Sequence, residues 1–104
     1  INSMENIEQV IKNHNIDTIE KVFSTKGKAS KKKVLKKYLK EFNINKHEML
    51  YIGDELGDIK ACRKNNIKVI AVTWGYDSRE LLSSGNPDYL VDNPLEIANI
   101  VAAY

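Results

Sequence analysis

Apolar positions along this chain fall into two alternating rhythms. Ile7, Val10, Ile11 and His14 recur at helical spacing, with Ser3 as a candidate N-cap and Asn15 as a natural stop, and predict an opening helix. "KVFS" (Lys21–Ser24) predicts a short strand. A helix follows over Lys31–Phe42. "MLYIG" (Met49–Gly53) predicts a strand and Leu56–Asn65 a helix. "KVIAVTWG" (Lys68–Gly75) predicts a strand whose unbroken apolar run suits a sheet covered on both faces. After a turn at Gly75–Asp77, Ser78–Ser84 predicts a short helix. "DYLVD" (Asp88–Asp92) predicts a short strand between two prolines, and Pro94 sits well at the start of a last helix to about Ala102. Helix and strand alternate from end to end, which predicts an α/β fold with a parallel sheet between helices. The 104 residues suffice for one small domain, and neither a repeat nor a low-complexity linker divides them.

Composition changes this picture little. Apolar residues make up 42% and charged residues 29%, ordinary values for a globular chain. No apolar run approaches the roughly 18–20 residues that span a bilayer, and the polar, amphipathic opening "INSMENIEQVIKNHN" lacks the pattern of a secretory leader. Cys62 stands alone and can form no internal disulfide, so a reducing cytoplasm is the expected location. His14 and His47 are far apart, and a Cys/His zinc motif has no support.

Charge is less evenly spread. Residues 26–40, "KGKASKKKVLKKYLK", hold eight lysines and no acid, against a net charge of only +2 for the whole chain. A basic run of this kind raises nucleic-acid binding. The favoured reading is a solvated helix face, because only Tyr38 is available for base stacking and it falls on the apolar side.

The candidate chemistry lies in "MLYIGDELGDIKACRKNNIKVIAVTWG". In an open parallel sheet, ligands bind beyond the carboxyl ends of the strands. Asp54 occupies such an end, and Asp58 falls in the first turn of the helix that follows. Their i, i+4 spacing keeps both within reach of one point. Two hard oxygen donors suit Mg²⁺, which takes one or two carboxylates and completes its shell with water and phosphate. The bland reading has equal standing on these residues alone: Asp54 as a helix cap and Asp58 as a complement to the helix dipole.

"YIGDELGDIKACRKNNIKVIAVTWGY" resembles the fourth signature block of the haloacid dehalogenase (HAD) superfamily of hydrolases, and looks most like its phosphoglycolate-phosphatase-like branch. The GDxxxD pattern is short, but its surroundings agree with it, as does the closing "NPDYLVDNPLEI". The resemblance implies a three-layer, Rossmann-like core and roles for Asp54 and Asp58 in holding Mg²⁺, with Glu55 between them as a further contributor. It also implies a lysine that pairs with the nucleophile and the phosphate. With about 100° per residue and Lys31 as zero, Val34, Leu35, Tyr38, Leu39 and Phe42 fall within roughly 80° of it, and the other helix lysines between about 100° and 240°. Lys31 is therefore the helix lysine on the apolar side, in the first turn, and spacing to GDxxxD in the similar branch favours it too. Lys28 is the alternative, since its "GK" resembles the family's local pattern, and a surface lysine whose stem covers apolar neighbours is the structural reading of Lys31.

The family's other blocks are incomplete in this sequence. Asn2 and Ser3 match the tail of the second block, whose phosphate-binding hydroxyl falls before Ile1. The first block, DxDxT, with the nucleophile and its acid/base partner, is missing: the only Asp before the lysine helix, Asp17 in "NIDTIEK", is not in a DxD and does not follow an apolar strand. No segment is long enough for a cap domain. Residues 1–104 are thus expected to form a single, partial HAD-like core without the nucleophile strand. The complete enzyme is expected to hydrolyse a small phosphorylated substrate through an aspartyl-phosphate, with Mg²⁺ as cofactor, and this chain alone is expected to be inactive. Without the central strand, bare sheet edges lead us to expect self-association or pairing with a separate amino-terminal half. The rivals are a non-catalytic binding or regulatory module and, less favoured, a basic nucleic-acid-binding domain.

Overall fold

Three short aliphatic runs become strands: β1 (Leu50–Gly53), β2 (Lys68–Val72) and β3 (Tyr89–Val91). They pair in parallel in the order β1-β2-β3. Leu50 stands opposite Lys68 and Gly53 opposite Ala71, while Ile70 stands opposite Tyr89 and Val72 opposite Val91. A parallel pair needs a crossover, and helices supply it: α2 (Leu56–Asn65) leads from β1 to β2 and α3 (Arg79–Ser84) from β2 to β3. Helix α1 (Lys31–Glu41) precedes the sheet and α4 (Pro94–Ala103) follows it. The computed structural model describes residues 31–103. The helix expected over Ser3–Asn15, the strand expected at Lys21–Ser24 and the side chain of Lys31 lie outside the described residues.

The sheet is covered on both faces, as the apolar run at β2 requires. Val69 and Ala71 point into one core with Leu35 of α1, Ile59, Ala61 and Cys62 of α2, and Leu82 of α3. Ile70 and Val72 point into the other, with Val91 and with Ile97 and Val101 of α4. All four of these β2 residues are at most 1% exposed. The period-2 geometry of a strand divides them between the two cores. Helix α1 follows its predicted faces: Leu35 is buried, Val34, Tyr38, Leu39 and Phe42 are half-buried, and Lys32, Lys33, Lys36, Lys37 and Lys40 are exposed.

Helix ends are written in short polar residues. Asn43, Asn66 and Asn86 follow α1, α2 and α3 and adopt φ values of 51°, 56° and 53°. Asparagine tolerates this left-handed region better than most residues, so Asn66 caps α2 without glycine, whereas α3 ends at Gly85 and Asn86 follows it. Ser78 caps α3 by accepting from the Leu81 amide at 3.2 Å. Asn93 accepts from the Leu95 amide at 2.8 Å, while Glu96 accepts from the Asn93 amide at 3.0 Å, a reciprocal cap that starts α4. The same device in "NKHE" makes a 3₁₀ turn at Lys46–Glu48 that the hydrophobic pattern does not predict. There Asn45 accepts from the His47 amide and Glu48 from the Asn45 amide, each at 2.9 Å. The strand expected over Lys68–Gly75 ends at Val72. The Thr73 amide still bonds Val91 O at 3.1 Å, after which the chain turns.

Candidate active site

At the carboxyl end of β1 the chain must leave the sheet and start α2 within two residues. Asp58 makes that turn possible. Its Oδ2 accepts from the amides of Asp54 at 3.1 Å and Glu55 at 3.0 Å, and its Oδ1 accepts from the Tyr51 hydroxyl at 3.2 Å. The residue is 2% exposed, and a buried carboxylate requires partners of this kind. Gly53 leaves the room: a Cβ there would lie 2.5 Å from Asp58 Oδ2.

Asp54, half-buried, faces the other way, toward the segment after β2. Its Oδ2 accepts from the Tyr76 amide at 3.1 Å and its backbone carbonyl from the Asp77 amide at 3.0 Å. Among the described residues, Asp54 Oδ1 has no hydrogen-bond partner. Gly75 lies so close that a methyl group in its place would collide with the Asp54 side chain. Asp77 in turn accepts from the Leu56 amide at 2.7 Å, which satisfies one of the open donors at the start of α2. The "TWGYDSRE" loop thus borders Asp54, and Gly75, Tyr76 and Asp77 belong to the site although no short motif announces them.

The two acids of GDxxxD are brought together but are not equivalent. Asp58 holds the turn, and Asp54 presents an oxygen. The first turn of α1 is tied to the last turn of α2, where Asn65 Nδ2 donates to Lys32 O at 3.3 Å and to Ala61 O at 3.1 Å. The Lys31 side chain and all of Lys28 lie outside the described residues. An open hollow lined by His47, Lys68, Tyr89, Asn99, Ile100 and Ala103 lies at the amino-terminal ends of β2 and β3, away from Asp54, and has no part in this chemistry.

Comparison with known proteins identifies the family. The family described as haloacid dehalogenase-like hydrolase matches residues 2–72. The chain belongs to that family. A phosphoglycolate phosphatase from Synechococcus elongatus is 28% identical over 101 residues, which cover 96% of this chain and 48% of that protein. The chain therefore spans about half the length of this relative. Among solved structures, a haloacid dehalogenase-like hydrolase from Streptococcus pneumoniae superposes with a TM-score of 0.67 at 27% identity, covering 74% of this chain and 37% of that one. A predicted phosphatase from Clostridium acetobutylicum gives 0.69 at 29% identity, covering 78% and 38%. The α/β core and its parallel sheet are those of the phosphoglycolate-phosphatase-like branch.

The family implies Mg²⁺, and the residues present can be tested for it. Among the described residues, no three His, Cys, Asp or Glu side chains form a ready-made cage. Mg²⁺ does not need one, since it keeps several waters and takes one or two carboxylates. A half-buried carboxylate with an oxygen left over, at a strand's carboxyl end, fits that demand. Asp54 has that chemistry, and Asp58 holds the turn that carries it. Among the described residues, no helix is long and apolar enough to cross a membrane.

Proposed function

We propose that this chain carries the metal-binding part of the core of a Mg²⁺-dependent phosphatase that hydrolyses a small phosphate monoester. The observation that carries the reading is the Asp54 carboxylate, fixed through Oδ2 and open at Oδ1 beyond the end of β1. When bound, Mg²⁺ supplies charge stabilisation at the transferring phosphoryl oxygens. Asp54 is the direct ligand. Asp58 orients the Asp54 and Glu55 backbone and faces the metal directly or through water. Lys31 is assigned to the phosphoryl group, with Lys28 as the alternative. The nucleophile of such a phosphatase is an aspartate that forms an aspartyl-phosphate and so splits one displacement into two easier ones. No DxDxT occurs in this sequence, so the chain alone turns over no substrate. Its sheet is completed by self-association or by a separate amino-terminal half.

A Mg²⁺ titration followed by backbone amide shifts tests the metal site. Shifts centred on Gly53–Asp58 that vanish in Asp54→Asn are expected, and shifts elsewhere, or shifts that survive that substitution, overturn it. Hydrolysis of an aryl phosphate by the pure chain would overturn the inactivity. A cooperatively melting monomer in light scattering at micromolar concentration would overturn the association.

A further inference from the structure

We infer that Asp77, acting with Gly75 and Tyr76, is a positioning residue for Asp54: a clamp from the loop after β2 that aims the carboxylate. The inference rests on the metal reading of Asp54 and extends it to residues outside GDxxxD.

Three contacts make the clamp, and each addresses a different part of Asp54 and its turn. The Tyr76 amide holds Oδ2 at 3.1 Å. The Asp77 amide holds the Asp54 carbonyl at 3.0 Å. The Asp77 carboxylate takes the Leu56 amide at 2.7 Å, so the loop is fastened to the start of α2 on the far side of Asp54. Asp54 is thereby gripped at its carbonyl and its carboxylate by a segment more than twenty residues away in sequence. Gly75 sets the closeness of the grip. Its backbone lies against the Asp54 side chain where no Cβ fits. Gly75 has no left-handed φ, so close approach rather than backbone freedom is the reason for glycine here.

The grip has a chemical consequence. A carboxylate that is free to rotate must be immobilised when it takes a metal, whereas one already held through Oδ2 presents Oδ1 in a fixed direction. Asp58 cannot do this, because it binds the backbone of Asp54 and not its carboxylate. Two elements thus divide the work: Asp58 shapes the turn and the Gly75–Asp77 segment aims the side chain.

The 104-residue chain and its variants provide the test, with two readouts: hydrogen exchange at the Tyr76 and Leu56 amides without metal, and Mg²⁺ affinity from amide shifts. Asp77→Ala is expected to speed exchange at both amides and weaken Mg²⁺ binding about tenfold, the equivalent of roughly one lost hydrogen bond. Asp77→Asn keeps an oxygen for the Leu56 amide and the backbone N–H for Asp54, and is expected to restore both readouts. Gly75→Ala is expected to weaken Mg²⁺ binding while the amides of β2 stay protected, which serves should Asp77→Ala not fold. Unchanged exchange at Tyr76 in Asp77→Ala, unchanged Mg²⁺ affinity in Gly75→Ala, or failure of Asp77→Asn to rescue overturns the clamp. A wild-type chain that shows no Mg²⁺ shifts overturns the metal reading of Asp54 alone, and exchange at Tyr76 still decides whether the clamp exists.

Discussion

The Tyr51 hydroxyl, projecting from β1, donates to Oδ1 of Asp58 in the first turn of α2 at 3.2 Å. This bond ties the strand to the helix across the turn that carries Asp54, while the other Asp58 oxygen holds the amides of that turn. Asp58 is therefore a structural keystone as well as a candidate site residue. Local hydrogen bonding explains its position.

Asp58→Ala should destabilise the fold strongly. It leaves two amides and a hydroxyl without their acceptor in a buried setting, a loss of about 3 kcal/mol on the usual scale for unsatisfied groups. Asp58→Asn keeps one oxygen for the amides and should lose less. Gly53→Ala should behave like Asp58→Ala, because its methyl group lies 2.5 Å from the oxygen that accepts both amides. Urea unfolding of the three variants checks the order. Equal stability of Asp58→Ala and wild type would show that water replaces the carboxylate.

Arg63 and Asp88 offer a contrast between an ion pair and a cap. Their 3.1 Å bridge is partly exposed, with side chains 41% and 26% accessible. Such pairs contribute little, from about 0 to 1 kcal/mol. The same Asp88 oxygen accepts from the amide of buried Val69 at 2.8 Å at the start of β2. Arg63 also donates to the carbonyl of exposed Asn86, where water can replace it, whereas the Val69 amide is buried; Asp88→Ala should therefore cost more than Arg63→Ala, by about 1 kcal/mol for the amide left open. Denaturation of both variants in 0.1 M and 1 M salt separates the effects, since only the ion pair is screened. A larger loss in Arg63→Ala would reverse the assignment.

Much of this architecture is legible in the sequence, for physical reasons that can be named. The bounds of α2 follow from the apolar periodicity and from Asn66, which stops the helix in the left-handed region. The two-sided core follows from the unbroken run at Val69–Val72. The lysine face of α1 follows from 3.6-residue geometry. The difference between Asp54 and Asp58 is not legible. Both are acids at one strand end, and only the contacts of Tyr51 and Tyr76 send one inward and leave the other with an open oxygen. The loop "TWGYDSRE" reads equally as a border of the site and as a strand-ending turn, because the partners that decide it, Asp54 and Leu56, come from a distant stretch of chain.

Asp92, past the end of β3, should titrate below the usual 3.8. The leading cause is the Thr73 hydroxyl, which donates to its Oδ1 at 2.8 Å, followed on the lowering side by Arg79. A lowered carboxyl contributes stability that is present above the unfolded value and lost as pH falls through the folded one. Since Asp92 is exposed, the contribution is small. Thr73→Val should raise the Asp92 midpoint in a carboxyl-carbon NMR titration while leaving stability at pH 7 nearly unchanged. An unshifted midpoint would assign the effect to Arg79.

Cys62 should be inert at neutral pH and should mark the alkaline limit of the fold. It is 0% exposed, and burial, followed by the charge of Asp58, pushes the thiol from 9.0 up to about 12. A thiol reagent at pH 8 should therefore react only as fast as the protein opens, and urea should abolish the protection. The sign of the pH effect follows from proton counting. Between 9.0 and about 12 the folded chain keeps the proton that the unfolded chain releases. Stability from this residue is thus intact below 9.0 and falls as pH rises, by about 1.4 kcal/mol at pH 10. Lysines and tyrosines titrate in the same range, so the comparison that isolates the thiol is Cys62→Ala against wild type. The substitution lowers stability at pH 7 by removing buried volume, but the gap should narrow from pH 8 to pH 10.5, because alanine has no proton to lose. A gap that stays constant across that range would mean that the thiol ionises in the folded chain as readily as in the unfolded one.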